Sequence, residues 1–193
     1  MDREINGKTG MPYRLGKVLI LTGPIGSGKT TLCLDLVEPL KKADLVVHGI
    51  VTPPVIVNGN KVGIDLVDLQ SGKKKRFACL KESVSTGLST GKWSFDADVM
   101  NWGNQTLGYA TPCQVLIVDE LGPLEFEREI GFQNGVAAID LGDFSVALVV
   151  IRPSLITAAK QRWPTAKLYS VTRETQPVVL NDLIKQIMEY CGN

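Results

Sequence analysis

The chain has 193 residues, a length that fits one domain of ordinary size and is too short for two full ones. Hydrophobic residues make up 44% and charged residues 21%, a composition that excludes a disordered or collagen-like chain and permits a sizeable core. Lys and Arg (21) nearly cancel Asp and Glu (20), and the net charge of +1 provides no broad field for a polyanion. These numbers argue against nucleic acid as a ligand and leave a small anion open.

The N-terminal segment precedes any periodic pattern. Residues 1–16 mix charge, Gly and Pro, so we expect a flexible arm followed by a single domain over residues 17–193. No apolar run approaches the ~20 residues that span a bilayer, and the N-terminus lacks the apolar stretch of a signal peptide. We therefore expect a cytoplasmic protein that does not enter the membrane.

The first predicted elements are a strand, a glycine-rich loop and a helix. Lys17–Thr22 is an apolar run of β-forming residues, and apolar residues recur at helical spacing over 31–42. The residues between them match the phosphate-binding pattern G-x-x-x-x-G-K-[ST] at every fixed position. We assign triphosphate binding to the nine consecutive residues Gly23, Pro24, Ile25, Gly26, Ser27, Gly28, Lys29, Thr30 and Thr31.

This loop, called the P-loop below, contains the residue types that phosphate binding requires. Glycines let backbone N–H groups approach a phosphate closely, and the N-terminus of the following helix adds its dipole. Lys29 is expected to reach the β- and γ-phosphates, and the hydroxyl of Thr30 is a candidate Mg²⁺ ligand.

The next stretch changes from α/β to antiparallel character. Leu45–Val51 predicts a second strand, and the turns at 58–60 and 70–72 separate runs of β-formers. We expect an inserted antiparallel hairpin region around residues 53–80. Residues 82–92, rich in Ser, Thr and Gly, predict a loop, and Asp96 is placed to cap a helix that runs to about Ala110.

Two acidic residues close the next buried strand. Val115–Val118 is a continuous apolar run typical of a parallel strand covered on both faces, and Asp119 and Glu120 follow it. Asp119 is a candidate Mg²⁺ holder, directly or through water, and Glu120 a candidate for polarising the water that attacks a γ-phosphate. A solvated turn residue is the alternative for Glu120.

The remaining elements alternate. We expect a helix from Pro123 and a strand over 145–151, then a helix over 154–162, a short strand over 167–171 and a terminal helix over 178–190. Strands alternating with helices predict an α/β fold with a mainly parallel sheet flanked by helices.

Four segments together carry a family resemblance: Gly23–Thr31, His48–Thr52, Gly63–Leu69 and Val118–Glu125. They resemble the THEP-type nucleoside-triphosphatases, and the Asp-Glu-Leu-Gly-Pro-Leu-Glu segment is the most specific of them. The resemblance implies a RecA-like sheet and Mg²⁺-dependent hydrolysis of several nucleoside triphosphates to diphosphates. It also implies catalytic use of Lys29, Thr30, Asp119 and Glu120.

Arginine positions differ from the pattern of that family. Where the family usually has an arginine shortly after the position of Thr52, this chain has Pro53-Pro54-Val55-Ile56. Arg152 follows the predicted strand 145–151, which in a RecA-like order lies between the P-loop strand and the Asp119 strand. Arg152 is therefore expected to point at the γ-phosphate, with a solvated or ion-paired arginine as the alternative.

Other functions share these motifs. A nucleoside or nucleotide kinase is the main alternative to a hydrolase, because the same P-loop would serve another phosphoryl acceptor. A GTPase switch fits Asp119–Gly122 as D-x-x-G but lacks N-K-x-D for guanine. The sequence names no protein partner.

Weaker features have ordinary structural explanations as well. The basic run 73–76 is expected to be a solvated face, His48 a hydrogen-bonded strand histidine, and the four dispersed cysteines free thiols. Trp93 and Phe95 are core or rim aromatics, or the floor of a base pocket. Glu125 either orients the site through a hydrogen bond or favours a helix N-terminus.

Overall fold

The computed structural model describes residues 16–81, 89–90 and 92–192. Most of the predicted N-terminal arm and most of the predicted loop 82–92 therefore lie outside the described residues. The strands are β1 Lys17–Thr22, β2 Val47–Val51, β3 Pro54–Val57, β4 Asn60–Asp68, β5 Lys74–Leu80, β6 Ser89–Thr90, β7 Trp93–Phe95, β8 Cys113–Leu121, β9 Phe144–Ile151 and β10 Lys167–Ser170. The helices are α1 Lys29–Lys42, α2 Ala97–Gly108, α3 Pro123–Phe126, α4 Gln133–Leu141, α5 Ile156–Arg162 and α6 Gln176–Cys191, with a 3-10 turn at Pro153–Leu155.

All these strands join one mixed sheet. Its order is β10-β1-β9-β8-β2-β4-β5-β7-β6, and β3 pairs with β4 outside this path. The five strands from β10 to β2 are parallel, and the pairings from β2 to β4 onward are antiparallel. The sequence prediction of a parallel sheet with an inserted antiparallel hairpin region is confirmed, and β9 lies between β1 and β8 as expected.

Helices cover both faces of the parallel part. Leu32 and Leu36 of α1 and Leu183 of α6 pack with the side chains of one face of the sheet. Leu107 of α2 and Val136 of α4 pack against the other face. The central strands are buried on both sides, which explains their continuous apolar sequences.

Element boundaries differ from the predicted ones in a few places. Helix α1 begins at Lys29, inside the phosphate-binding motif, and β2 begins at Val47. The loop prediction for 82–92 is wrong at Ser89 and Thr90, which pair with Ser94 and Trp93. These two residues form a strand because β7 pairs with them, and the composition of residues 82–92 does not indicate this pairing. Asp96 caps α2 as predicted, accepting hydrogen bonds from the N–H groups of the next turn.

Several weaker predictions concern side chains outside the P-loop. His48 is hydrogen-bonded through Nδ1 to the carbonyl of Ala110 at 2.8 Å. Phe95 packs on Phe77 with ring centroids 5.0 Å apart, so it belongs to the core rather than to a base pocket. All four cysteines are free, as predicted. None of the helices formed by the described residues has both the length and the apolar character of a bilayer-spanning segment.

Candidate active site

The P-loop connects β1 to α1 and is closed by the loop that follows β10. A Cβ atom on Gly23 would lie 2.2 Å from the carbonyl oxygen of Val171, and Gly28 caps α1 with φ of +89°. Side chains are excluded at both positions, by contact at the first and by backbone strain at the second. Ser27 Oγ is buried and has no hydrogen-bond partner among the described residues. The loop therefore keeps an unused hydroxyl beside Gly23.

Lys29 lies within this loop. Its Nζ donates to the carbonyl oxygens of Gly23 and Pro24, at 2.8 Å in both cases. Burial lowers the pKa of the ammonium, while the carboxylates of Glu120 and Asp119 act in the opposite direction. The lysine is thus held at the loop's own carbonyl groups and close to both acidic residues.

Arg173 is a second cation at the P-loop that the sequence did not indicate. Its Nε donates to the carbonyl oxygen of Gly26 at 3.0 Å, from the segment between β10 and α6. The two residues are 147 positions apart. No local pattern marks Arg173, because only the pairing of β10 with β1 brings it here.

Asp119 is fully buried at the end of β8, directly below the P-loop helix. Oδ1 accepts a hydrogen bond from the hydroxyl of Thr30 at 3.2 Å. Oδ2 accepts from the N–H of Thr52 at 3.0 Å, and the hydroxyl of Thr52 lies 3.0 Å from the carbonyl oxygen of Asp119. Burial raises the pKa of Asp119, and the hydrogen bonds from Thr52 and Thr30 oppose that shift. Thr52, which directly follows β2, is a positioning residue that the sequence analysis did not assign.

The oxygens of Thr30 and Asp119 fit a magnesium ion. Hydroxyl and carboxylate oxygens are the donors that Mg²⁺ prefers, and adjacent ligands of an octahedral ion with ~2.0–2.1 Å bonds lie about 2.9 Å apart. The observed separation of 3.2 Å is close to that edge. The described residues contain no group of three or more His, Cys, Asp or Glu side chains suited to a metal. A site with two protein oxygens suits an ion that keeps water and phosphate ligands.

Glu120 and Arg152 form an ion pair at the carboxyl ends of adjacent strands. Glu120 belongs to β8, and Arg152 directly follows β9, its parallel neighbour. The guanidinium Nε of Arg152 contacts Oε1 of Glu120. Side-chain exposure is 29% for Glu120 and 54% for Arg152, so the pair borders solvent. Arg152 is therefore ion-paired, which is one of the alternatives that the sequence left open. The pair lies at the carboxyl edge of the sheet, where the P-loop also lies.

Glu125 fixes the turn that follows Glu120. Its buried carboxylate accepts the N–H of Gly122 through Oε2 and the N–H of Phe132 through Oε1, both at 2.8 Å. Burial raises the pKa of Glu125, and these backbone hydrogen bonds oppose the rise. The contact with Gly122 caps the N-terminus of α3, which is one of the two roles that the sequence left open, and a role in orienting the site stays a prediction.

A sequence-family model described as NTPase matches residues 18–184, which include the P-loop and the two acidic residues of β8. This chain belongs to the NTPase family. The match extends from β1 into α6 and therefore covers the whole parallel sheet. The resemblance inferred from the four sequence segments is confirmed at the level of the family.

Relatives named nucleoside-triphosphatase THEP1 match this NTPase over different lengths. The protein of Pyrobaculum aerophilum is 33% identical over 167 residues, covering 86% of this chain and 91% of the relative. That of Methanopyrus kandleri is 26% identical over 184 residues, covering 93% and 98%. The match to the Ignicoccus hospitalis protein is 36% identical over 109 residues and covers 56% of this chain and 61% of the relative.

Two solved structures share the fold of this NTPase at 23% sequence identity. The solution structure of a human cancer-related nucleoside triphosphatase superposes with a TM-score of 0.70, covering 90% of this chain and 98% of that one. The crystal structure of THEP1 from the hyperthermophile Aquifex aeolicus gives 0.64, with coverage of 88% and 98%. The mainly parallel sheet flanked by helices is thus the fold of those proteins.

Proposed function

We propose that this NTPase hydrolyses several nucleoside 5'-triphosphates, ATP and GTP among them, to diphosphate and phosphate, with Mg²⁺ as cofactor. The observation that supports this best is the contact of Thr30 with Asp119 below the P-loop. Both oxygens are of the type that Mg²⁺ prefers, and the carboxylates of Asp119 and Glu120 both act on the pKa of Lys29 in the P-loop. Bound Mg²⁺ would neutralise charge on the β- and γ-phosphates.

Different residues of the chain bind the phosphates and accept the proton of the attacking water. Backbone N–H groups of the P-loop bind phosphate oxygens, and Lys29 exchanges the carbonyls of Gly23 and Pro24 for the β- and γ-phosphates. A water oxygen forms a bond to the γ-phosphorus as the bond to the β-phosphate oxygen breaks. The diphosphate leaves with that electron pair, and Glu120 accepts the proton of the water.

Arg152 positions the carboxylate that receives this proton. Its pairing with Oε1 of Glu120 leaves Oε2 available to the water. The assignment of Arg152 as a γ-phosphate sensor stays a prediction. If it is correct, Arg152→Ala weakens triphosphate binding and leaves diphosphate affinity nearly constant.

Broad substrate use follows from what the P-loop contacts. Backbone N–H groups and Lys29 interact with phosphates, which are common to all nucleotides, and do not read the base. A cytoplasmic location stays a prediction as well.

Phosphate release from ATP, GTP, CTP and UTP, with and without Mg²⁺, tests the function. The wild-type protein should release phosphate from several of them only with Mg²⁺. Transfer to added nucleosides or nucleotides in place of water would show a kinase instead.

Glu120→Gln tests the role of the carboxylate in the same assay. Loss of the general base should lower turnover by about 10²–10⁴-fold, while triphosphate binding persists. Glu127→Gln is the matched control, since it makes the same change on an exposed side chain after the same strand. Normal turnover in Glu120→Gln, or loss of binding, would assign Glu120 to the turn or to the metal.

A further inference from the structure

The segment between β10 and α6 lies against the P-loop. The Nε atom of Arg173 donates a hydrogen bond to the carbonyl oxygen of Gly26 at 3.0 Å. A Cβ atom on Gly28 would lie 2.5 Å from Oε1 of Gln176, the first residue of α6. The segment therefore touches the P-loop on both sides of Ser27.

A turn closed by two threonines presents Arg173. The N–H of Thr172 donates to Oγ1 of Thr175 at 2.9 Å, and the N–H of Thr175 donates to Oγ1 of Thr172 at 3.3 Å. Hydroxyl groups close turns of this kind by bonding to backbone groups a few residues away. Arg173 lies between the two threonines, so its backbone is held in place while its side chain reaches the P-loop.

The tip of the P-loop is a β-turn exposed to solvent. Pro24, Ile25 and Gly26 are exposed. The N–H of Ser27 donates to the carbonyl oxygen of Pro24 at 3.2 Å, and the φ of +78° at Gly26 is the value that favours glycine at the third position of a turn. Lys29 Nζ donates to the same carbonyl oxygen at 2.8 Å. The N–H of Ser27 and the ammonium of Lys29 therefore converge on one oxygen atom.

The hydrogen bond from Arg173 fixes the direction of this N–H group. The carbonyl of Gly26 and the N–H of Ser27 belong to one trans peptide plane, in which they point in opposite directions. Because Arg173 holds the carbonyl from the side of α6, the N–H is directed to the side on which Lys29 lies. Rotation of this peptide would break the hydrogen bond from Arg173.

We propose that Arg173 is a positioning residue for nucleotide binding, which holds the P-loop in the conformation that receives the β-phosphate. This inference rests on the proposed function, in which Lys29 exchanges the carbonyls of Gly23 and Pro24 for phosphate oxygens. The hydrogen bond from Arg173 still restrains the loop after that exchange, because it is made to a different carbonyl. A loop that is ordered before binding loses less conformational freedom when the ligand arrives.

Two replacements of Arg173 separate its hydrogen bond from its charge. Arg173→Gln removes the charge but keeps an N–H donor, since Nε2 of glutamine is as many bonds from the backbone as Nε of arginine. Arg173→Met has a similar length and neither charge nor donor. Titration calorimetry with ADP and with a nonhydrolysable ATP analogue, each with Mg²⁺, should show about 10-fold weaker binding of both to Arg173→Met, the loss expected for one hydrogen bond from a charged donor. Arg173→Gln should recover most of that affinity.

Lys185→Met is the matched control for a lost positive charge. Lys185 is an exposed cation roughly 14 Å along α6 from the first residue of the helix. Its replacement should leave both affinities at the wild-type level. Hydrogen exchange at the amide of Ser27 in the unliganded protein should become faster in Arg173→Met and stay unchanged in Lys185→Met, because only the first variant releases the peptide.

Turnover and thermal unfolding distinguish positioning from other roles. In Arg173→Met, KM should rise about 10-fold while kcat falls by less than about 3-fold, because a hydrogen bond within the loop contributes equally to binding before and during the reaction. Tm should fall by no more than about 2 °C, since Arg173 is exposed. If the wild type released no phosphate from any triphosphate but bound ADP less tightly in Arg173→Met, the proposed function would fail and the role of Arg173 would stand.

Three results would overturn the inference. The first is wild-type affinity for ADP in Arg173→Met. The second is an equal loss of affinity in Arg173→Gln and Arg173→Met, which would show that only the charge matters. The third is a loss confined to the triphosphate analogue, or to kcat at unchanged affinity, which would place Arg173 at the γ-phosphate instead of behind the P-loop.

Discussion

The ion pair between Arg152 and Glu120 predicts that the two residues act as one unit in turnover. Glu120→Gln alone should cost about 10²–10⁴-fold in kcat, or about 2.7–5.4 kcal/mol at 1.36 kcal/mol per tenfold. Arg152→Ala alone should cost about 10-fold, or about 1.4 kcal/mol, because the carboxylate loses the guanidinium that fixes it. Once Glu120 is replaced, no proton acceptor is left for Arg152 to orient. The kcat of the double variant should therefore resemble that of Glu120→Gln alone.

Removing this ion pair should hardly change the free energy of unfolding. Both side chains are partly exposed, and ion pairs of this kind contribute about 0.2–1 kcal/mol. Removing Arg152 should therefore lower Tm by no more than about 2–4 °C in a chain of this size. The contrast between a small loss in Tm and a larger loss in kcat separates a role in the reaction from a role in the fold.

Single-turnover phosphate release on the wild type, both single variants and the double variant measures the coupling directly. Thermal unfolding of the same four proteins provides the stability comparison. Losses in kcat that multiply, so that the double variant falls about 10-fold below Glu120→Gln, would refute the idea that Arg152 acts through Glu120. Such a result would favour a direct contact of Arg152 with the γ-phosphate.

Three further changes probe the phosphate site and the turn behind it. Lys29→Ala should abolish turnover and sharply weaken triphosphate binding in titration calorimetry, and unchanged hydrolysis would contradict the P-loop assignment. Thr30→Ala should raise the Mg²⁺ concentration needed for half-maximal phosphate release, and excess chelator should stop the wild type; an unaltered metal response would remove Thr30 from the metal site. Glu125→Gln should destabilise the fold by about 1–3 kcal/mol, because its amide nitrogen cannot accept from Gly122 or Phe132. Urea unfolding checks this, and a wild-type midpoint would mean that the turn tolerates an unpaired N–H group.

The sequence predicted those parts of the site that are encoded locally. The P-loop needs only consecutive residues and the elements on either side, so its place between β1 and α1 was readable from one segment. Asp119 and Glu120 could be placed because a buried parallel strand must end at the same edge as β1. The strand order that puts β9 between β1 and β8 followed from the resemblance, and the sheet confirms it.

Contacts between distant segments could not be predicted in the same way. Thr52 meets Asp119 because β2 lies beside β8, and Arg173 meets the P-loop because β10 lies beside β1. In each case the residue is unremarkable in its own segment, and the sheet supplies its neighbour.

The four free cysteines are sites for thiol labelling that differ in their exposure to solvent. Cys33, in α1 just behind the P-loop, and Cys113, at the start of β8, are buried, while Cys79 and Cys191 are partly accessible. Burial raises the pKa of Cys113 to about 12, and burial also raises the pKa of Cys33, so neither residue presents a reactive thiolate at neutral pH. Brief alkylation of the native protein should therefore modify Cys79 and Cys191 first, and the rate at which Cys33 becomes alkylated would report how often the helix behind the phosphate loop opens.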